Sequence, residues 1–159
     1  MFKKNFVTSF ASFLTILSIV LGASIVQVQL AYAAALSTLS DTQSSVKVST
    51  LSDHTIQFIT PTGVAAGQNI TVTFPAGYTM GTFSANNVDF ATSTTGACTG
   101  LVDGAVAGVA SGGTWGVAQA GQVITITSGT GVIPANRCIQ IEIGSNATFG
   151  ATGATQITN

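Results

Sequence analysis

Charge is the scarcest property of this sequence: its 159 residues carry four Lys+Arg and five Asp+Glu. A typical soluble domain is about one quarter charged. So few cations exclude a nucleic-acid-binding face, which needs several clustered Lys or Arg to neutralise phosphates. With 46% hydrophobic residues, the chain is not a charge-rich disordered tail either. Histidine occurs once, as His54. The carboxylates stand singly at Asp41, Asp53, Asp89, Asp103 and Glu142. No spacing among them suggests a glycosidase pair or a calcium loop. The glycine-rich stretches lack G-x-x-x-x-G-K-[ST] and any strand-to-helix context for a phosphate. No catalytic residue, metal ligand or cofactor is therefore assigned, and an enzyme is not expected. Beyond residue 33 no segment keeps a helical period, which removes helix-rich folds.

The N-terminus differs from the rest. Lys3 and Lys4 are the only charges before Asp41, and Phe6 to Leu30 is an uncharged run rich in Phe, Leu, Ile and Val. Ala31-Tyr32-Ala33, followed by Ala34, supplies a small-x-small site. A basic start, an apolar run and such a site make a secretory signal peptide. Cleavage after Ala33 is expected, leaving a domain of residues 34–159. An uncleaved membrane anchor is the alternative, since the run is long enough to span a bilayer. On either reading the domain is exported, and the membrane is touched only through the signal segment. The mature part keeps Lys47 and Arg137 against five carboxylates, a net charge of −3. Threonine, glycine and serine dominate it. Threonine favours strands, and glycine and serine favour turns.

Period-two alternation marks the strands. Val46 and Val48 share a face in Ser45–Ser49. Ile56 and Phe58 do so in His54–Thr60, and Ile70, Val72 and Phe74 in the next run. Ile124 and Ile126, then Ile139, Ile141 and Ile143, continue the pattern. Weaker strands are expected near Leu36–Ser40, Val88–Ala91 and Thr114–Val117. Turn residues separate them: Thr60-Pro61-Thr62-Gly63, Pro75-Ala76-Gly77, and Gly129 to Pro134. One-sided strands of this kind suit two antiparallel sheets packed face to face. Seven or eight short strands predict an all-β sandwich. Residues 96–113, with six glycines among small residues, read as a variable loop or a weak edge strand.

Cys98 and Cys138 both fall in the exported part, where disulfides persist. They lack a C-x-x-C spacing and His or Cys neighbours that would suggest redox or metal chemistry. A bond pinning the glycine-rich loop to a core strand is expected. Asp53 and His54 follow Ser52 directly, but consecutive residues cannot converge as a catalytic triad does. His54 shares parity with Ile56 and Phe58, which predicts a strand-start residue half-packed at the core edge. Trp115 and Tyr78 are the candidate ligand contacts, because exposed aromatic rings stack on sugars; Trp115 could instead plug the core. Asn69-Ile70-Thr71 and Asn146-Ala147-Thr148 match the N-glycosylation triplet.

The runs Ser52–Phe58, Ile70–Tyr78, Ile133–Ile139 and Ile141–Gly144 resemble small secreted surface proteins of ultra-small, candidate-phyla bacteria. The resemblance spans most of residues 36–159. It implies an immunoglobulin-like sandwich displayed outside the cell and implies no activity. Similar proteins continue with another strand or two after a segment like Thr155–Asn159. Here the sandwich is a fragment, is complete in its own way, or receives a strand from a neighbouring subunit, as in some pilins. Ala34–Gln43 is the candidate donor for such an exchange.

These readings converge on a secreted, non-enzymatic β-sandwich acting as a structural or adhesive module at the cell surface. Its expected partners are other surface proteins, glycans, or itself through an open strand edge. The loops at 61–69 and 96–113 are the expected contact surfaces. A carbohydrate-binding adhesin using Trp115 and Tyr78, and a filament subunit built by strand exchange, are the alternatives.

Overall fold

The computed structural model describes residues 35–159. The expected signal helix and its Ala31, Ala33 and Ala34 cleavage site lie outside them. In chain order the elements are β1 (Ser37–Gln43), β2 (Leu51–Ser52), β3 (His54–Thr60) and β4 (Asn69–Thr73), then a short 3-10 turn (Ala85–Asn87). There follow β5 (Val88–Thr92), β6 (Val102–Gly104), β7 (Val106–Ala107), β8 (Trp115–Ala120), β9 (Val123–Thr127), β10 (Arg137–Ile143) and β11 (Ile157–Thr158). The described chain is all-β.

Two sheets form the body. One has the order β1-β3-β10-β5-β6 and the other β4-β9-β8-β7, while β11 and β2 make a separate pair. The core lies between the two sheets. Ile56 and Phe58 of β3, Phe90 of β5 and Ile139, Ile141 and Ile143 of β10 meet Ile70, Val117, Ile124 and Ile126 from the other sheet. The alternation in the sequence causes this directly. Strand parity sends every second residue inward, and the inward residues are Ile, Val and Phe. Their burial, at about 25 cal/mol per Å² of apolar surface, is the main stabilising term. The arrangement is β-sandwich-like, with antiparallel pairing at every ladder except β7–β8, where Val106 meets Trp115 and Ala107 meets Gly116 in parallel.

One expected strand is absent. Ser45–Ser49 is a bend and turn, and Val46 and Val48 are each 85% exposed. The serines explain this. Ser45 Oγ accepts from the Lys47 N–H, Ser52 Oγ accepts from the Ser45 N–H, and Ser49 adopts a positive φ of 57°. Hydroxyls bound locally compete with a sheet ladder, and two valines around one lysine bury too little to win. The weak strands at Leu36–Ser40, Val88–Ala91 and Thr114–Val117 do form, as β1, β5 and β8. Residues 96–113 are loop interrupted by β6 and β7, each at the margin of its sheet.

Cys98 and Cys138 are joined as a disulfide, with Cα atoms 5.2 Å apart. Cys138 opens β10 and is wholly buried. Its N–H donates to Ser93 Oγ and its carbonyl accepts from the Ser93 N–H. The glycine-rich segment is thus fixed to the central strand of the larger sheet. At the other end of β10, Gly144 has φ 115°, and a Cβ there would stand 2.2 Å from Asp53 Oδ1. Asp53 Oδ1 accepts from the Ser145 N–H at 2.6 Å. Only glycine permits this turn. The segment it starts covers the outer face of β5: Ala147 is fully buried, and the Phe149 N–H donates to Asp89 Oδ2.

Candidate functional site

The residues with chemical potential are used inside the fold. His54 is completely buried, which corrects the expectation of a half-packed edge residue. Its Nδ1 lies 2.8 Å from Asp41 Oδ2 on β1, and its ring is edge-on to Phe74 at 5.1 Å and to Tyr78 at 6.0 Å. The Asp41 contact is not legible in the sequence, because it depends on β1 pairing with β3 in a register that sets Gln43 opposite His54. The neighbours His54 has in sequence turn elsewhere. Asp53 binds the Ser145 N–H and hydroxyl, and Ser52 Oγ donates to the Ser45 carbonyl. Ser52, Asp53 and His54 are therefore three separate structural contacts.

The two aromatic candidates are divided. Trp115 is only 6% exposed and packs on Phe90 with ring centroids 4.5 Å apart. A ring in that position offers no open face to a sugar. Tyr78 is half-buried and lines a surface groove. Asn146 donates its amide to the His54 carbonyl and to Thr55 Oγ1, so its side-chain nitrogen is engaged in the folded chain. Asn69 lies exposed at the start of β4.

Asp89 and Glu142 face each other across the β5–β10 ladder. Burial pushes the Asp89 carboxyl above the usual carboxylate range, against hydrogen bonds from the backbone of Phe149 and Thr148 that lower it. Burial also raises Glu142, and the charges of Asp89 and Asp103 raise it further. Among the described residues no three His, Cys, Asp or Glu are grouped to hold a metal ion.

The feature with the clearest capacity for contact is a margin of the sandwich. Between β1 and β4 the sheets part to leave a groove of about 720 Å³. Its walls include Leu36 and Leu39 beside and on β1, Phe58 of β3, Ile70 and Val72 of β4, and Tyr78. Leu36 is 49% and Leu39 64% exposed. Asp41 is the one charged residue in the lining, and His54 is bonded to it. A second hollow beside the first, lined by Val46, Val48 and Gln43, shares Tyr78 with it.

The four margins of the two main sheets differ in how they meet solvent. β1 is bulged between Ser37 and Ser40 and carries the exposed Asp41. β6 has three residues including Asp103, and β7 has two. A bulge, a charge or short length each discourages edge pairing. β4 has none of these: it is five residues, Asn69-Ile70-Thr71-Val72-Thr73, without charge or proline. Its hydrogen-bonding parity is fixed at both ends. The Gln68 carbonyl accepts from the Ser128 N–H, and the Phe74 N–H donates to the Gln122 carbonyl, each at 2.9 Å on the β9 side. In an antiparallel ladder the N–H and C=O of one residue point to the same side and alternate along the strand. Asn69, Thr71 and Thr73 therefore aim their backbone groups away from β9, along the groove.

No protein-family model, curated protein or solved structure matches this chain.

Proposed function

We propose that the chain is an exported, immunoglobulin-like surface module with a structural or adhesive role, which makes its contacts through the β4 edge and the groove beside it. The observation that carries this reading is the open β4 edge: an uncharged strand with outward backbone groups beside an apolar groove of about 720 Å³. An extended partner segment adds main-chain hydrogen bonds there, and its alternate side chains enter the groove. Support for export comes from the basic-then-apolar N-terminus and from the Cys98–Cys138 bond, which persists in oxidising compartments. The engagement of His54, Asp53 and Ser52 in structural contacts supports a binding role over a hydrolytic one.

The test uses the full chain, expressed in a host that exports and oxidises proteins. The expected product begins at Ala34, lies outside the cytoplasm, carries the disulfide by intact mass, and is retained on envelope preparations. Thr71→Pro removes one outward N–H without touching the β9 ladder and is expected to abolish retention. A chain kept in the cytoplasm, or retention indifferent to Thr71→Pro, overturns the reading.

A further inference from the structure

We infer that the partner of the β4 edge is the β4 edge of a second copy, paired antiparallel about Thr71 to join the two four-stranded sheets into one. This rests on the reading of β4 as the contact edge and names its occupant.

Only Asn69, Thr71 and Thr73 turn their N–H and C=O groups outward, since Gln68 and Phe74 mark the opposite parity on the β9 side. An antiparallel self-pair centred on Thr71 sets Thr71 against Thr71 and Asn69 against Thr73. In that register every outward N–H and C=O of the strand meets an outward group of its mate. Centring the pair on Ile70 or Val72 leaves one end of each strand unpaired. Symmetry thus selects a register that uses the whole edge, as a two-fold interface requires the same patch to complement itself.

The side chains agree with the backbone. On the inner face the register sets Ile70 against Val72 of the second copy, and on the outer face Thr71 against its equivalent. Pairs of β-branched residues and Thr–Thr pairs are favourable cross-strand neighbours. Val72 is only half-buried in the single chain, so a mate continues the apolar row that it leaves incomplete. Leu36 and Leu39, exposed along the same groove, flank that row.

Charge points the same way. β4 carries none, and Asp41, the only charge lining the groove, is held at 2.8 Å by His54. An acidic peptide finds no counter-ion there, and a basic one finds a single carboxylate whose Oδ2 is already engaged by His54. An uncharged strand alternating threonine with β-branched residues does fit, and β4 itself is such a strand.

The test is a charge exchange at Thr71, an exposed residue on the outer face, where substitution leaves the core intact. The exported full chain is studied by sedimentation and light scattering. Wild type is expected as a dimer at tens of micromolar. Thr71→Asp alone and Thr71→Lys alone each place like charges opposite one another and are expected to be monomers. Mixing the two variants sets Asp against Lys and is expected to restore the dimer. Circular dichroism checks that each variant keeps the wild-type fold. A monomeric wild type overturns the inference, as do dimers of either variant alone or a mixture that stays monomeric. A wild-type monomer still retained on envelope preparations sinks the self-pairing and leaves the contact-edge reading standing. A monomer that is not retained sinks both.

Discussion

Asp41 on β1 and His54 on β3 meet at 2.8 Å through Oδ2 and Nδ1, with the imidazole wholly buried and the carboxylate side chain 34% exposed. The pair ties the marginal strand β1, which is otherwise almost entirely exposed, to the core. The same ring leans on Phe74, just past β4, so one histidine joins the two walls of the groove.

Asp41→Ala is expected to destabilise the fold by about 1–3 kcal/mol, the cost of leaving a buried donor without its partner. Asp41→Asn keeps an acceptor for Nδ1 and is expected to lose less. Urea unfolding of the three chains measures the differences. Equal midpoints for wild type and Asp41→Ala would mean that the contact contributes nothing.

Loss of the disulfide, by Cys98→Ser with Cys138→Ser, is expected to cost about 2–4 kcal/mol, because the bond closes a long loop in the unfolded chain. Hydrogen exchange should rise first in residues 94–104, the segment held to β10 by that bond. Uniform loosening of both sheets would contradict this.

Glu142 and Asp89 have raised proton affinities in the fold. Each binds its proton more readily in the folded than in the unfolded chain. Stability therefore increases as pH falls from neutral into the carboxylate range, and it is lost as pH rises through the raised values. Glu142→Gln removes one charge of the facing pair. It is expected to raise the thermal midpoint at neutral pH, with the gain shrinking as the solution is acidified. Calorimetry across that range checks the sign. A gain that grows on acidification would refute the assignment.

Trp115→Ala is expected to cost about 3–5 kcal/mol, as a large aromatic core deletion does, since the ring lies between the sheets against Phe90. The wild-type fluorescence should be blue-shifted and insensitive to added sugars. A red emission maximum, or a shift on adding glycans, would mean an exposed ring.

Val46→Ser and Val48→Ser are expected to change stability by no more than about 0.5 kcal/mol, the usual range for exposed positions. Val88→Ser, at a fully buried site, should cost several times more. Comparable losses at all three would place Ser45–Ser49 in a sheet.

Where local periodicity is strong, the sequence alone determined the outcome. Ile56 and Phe58, Ile124 and Ile126, and the three isoleucines of β10 alternate over enough residues that one face must be buried, and a one-residue slip would expose them all. The cysteine pairing was legible too, from two cysteines in a sequence that reads as exported. Tertiary structure decided what depends on register between distant strands. It put Asp41 beside His54, set Asp89 against Glu142, and folded residues 144–153 over β5, burying a carboxylate that alternation alone would leave in water. It also decided which margin stays open. Ala34–Gln43 read as the candidate donor, but β1 pairs with β3 of its own sheet and its bulge and Asp41 blunt its free side, whereas β4 shows no edge signal in its own sequence. An edge is defined by the strand that fails to pair with it, and that is a property of the whole topology.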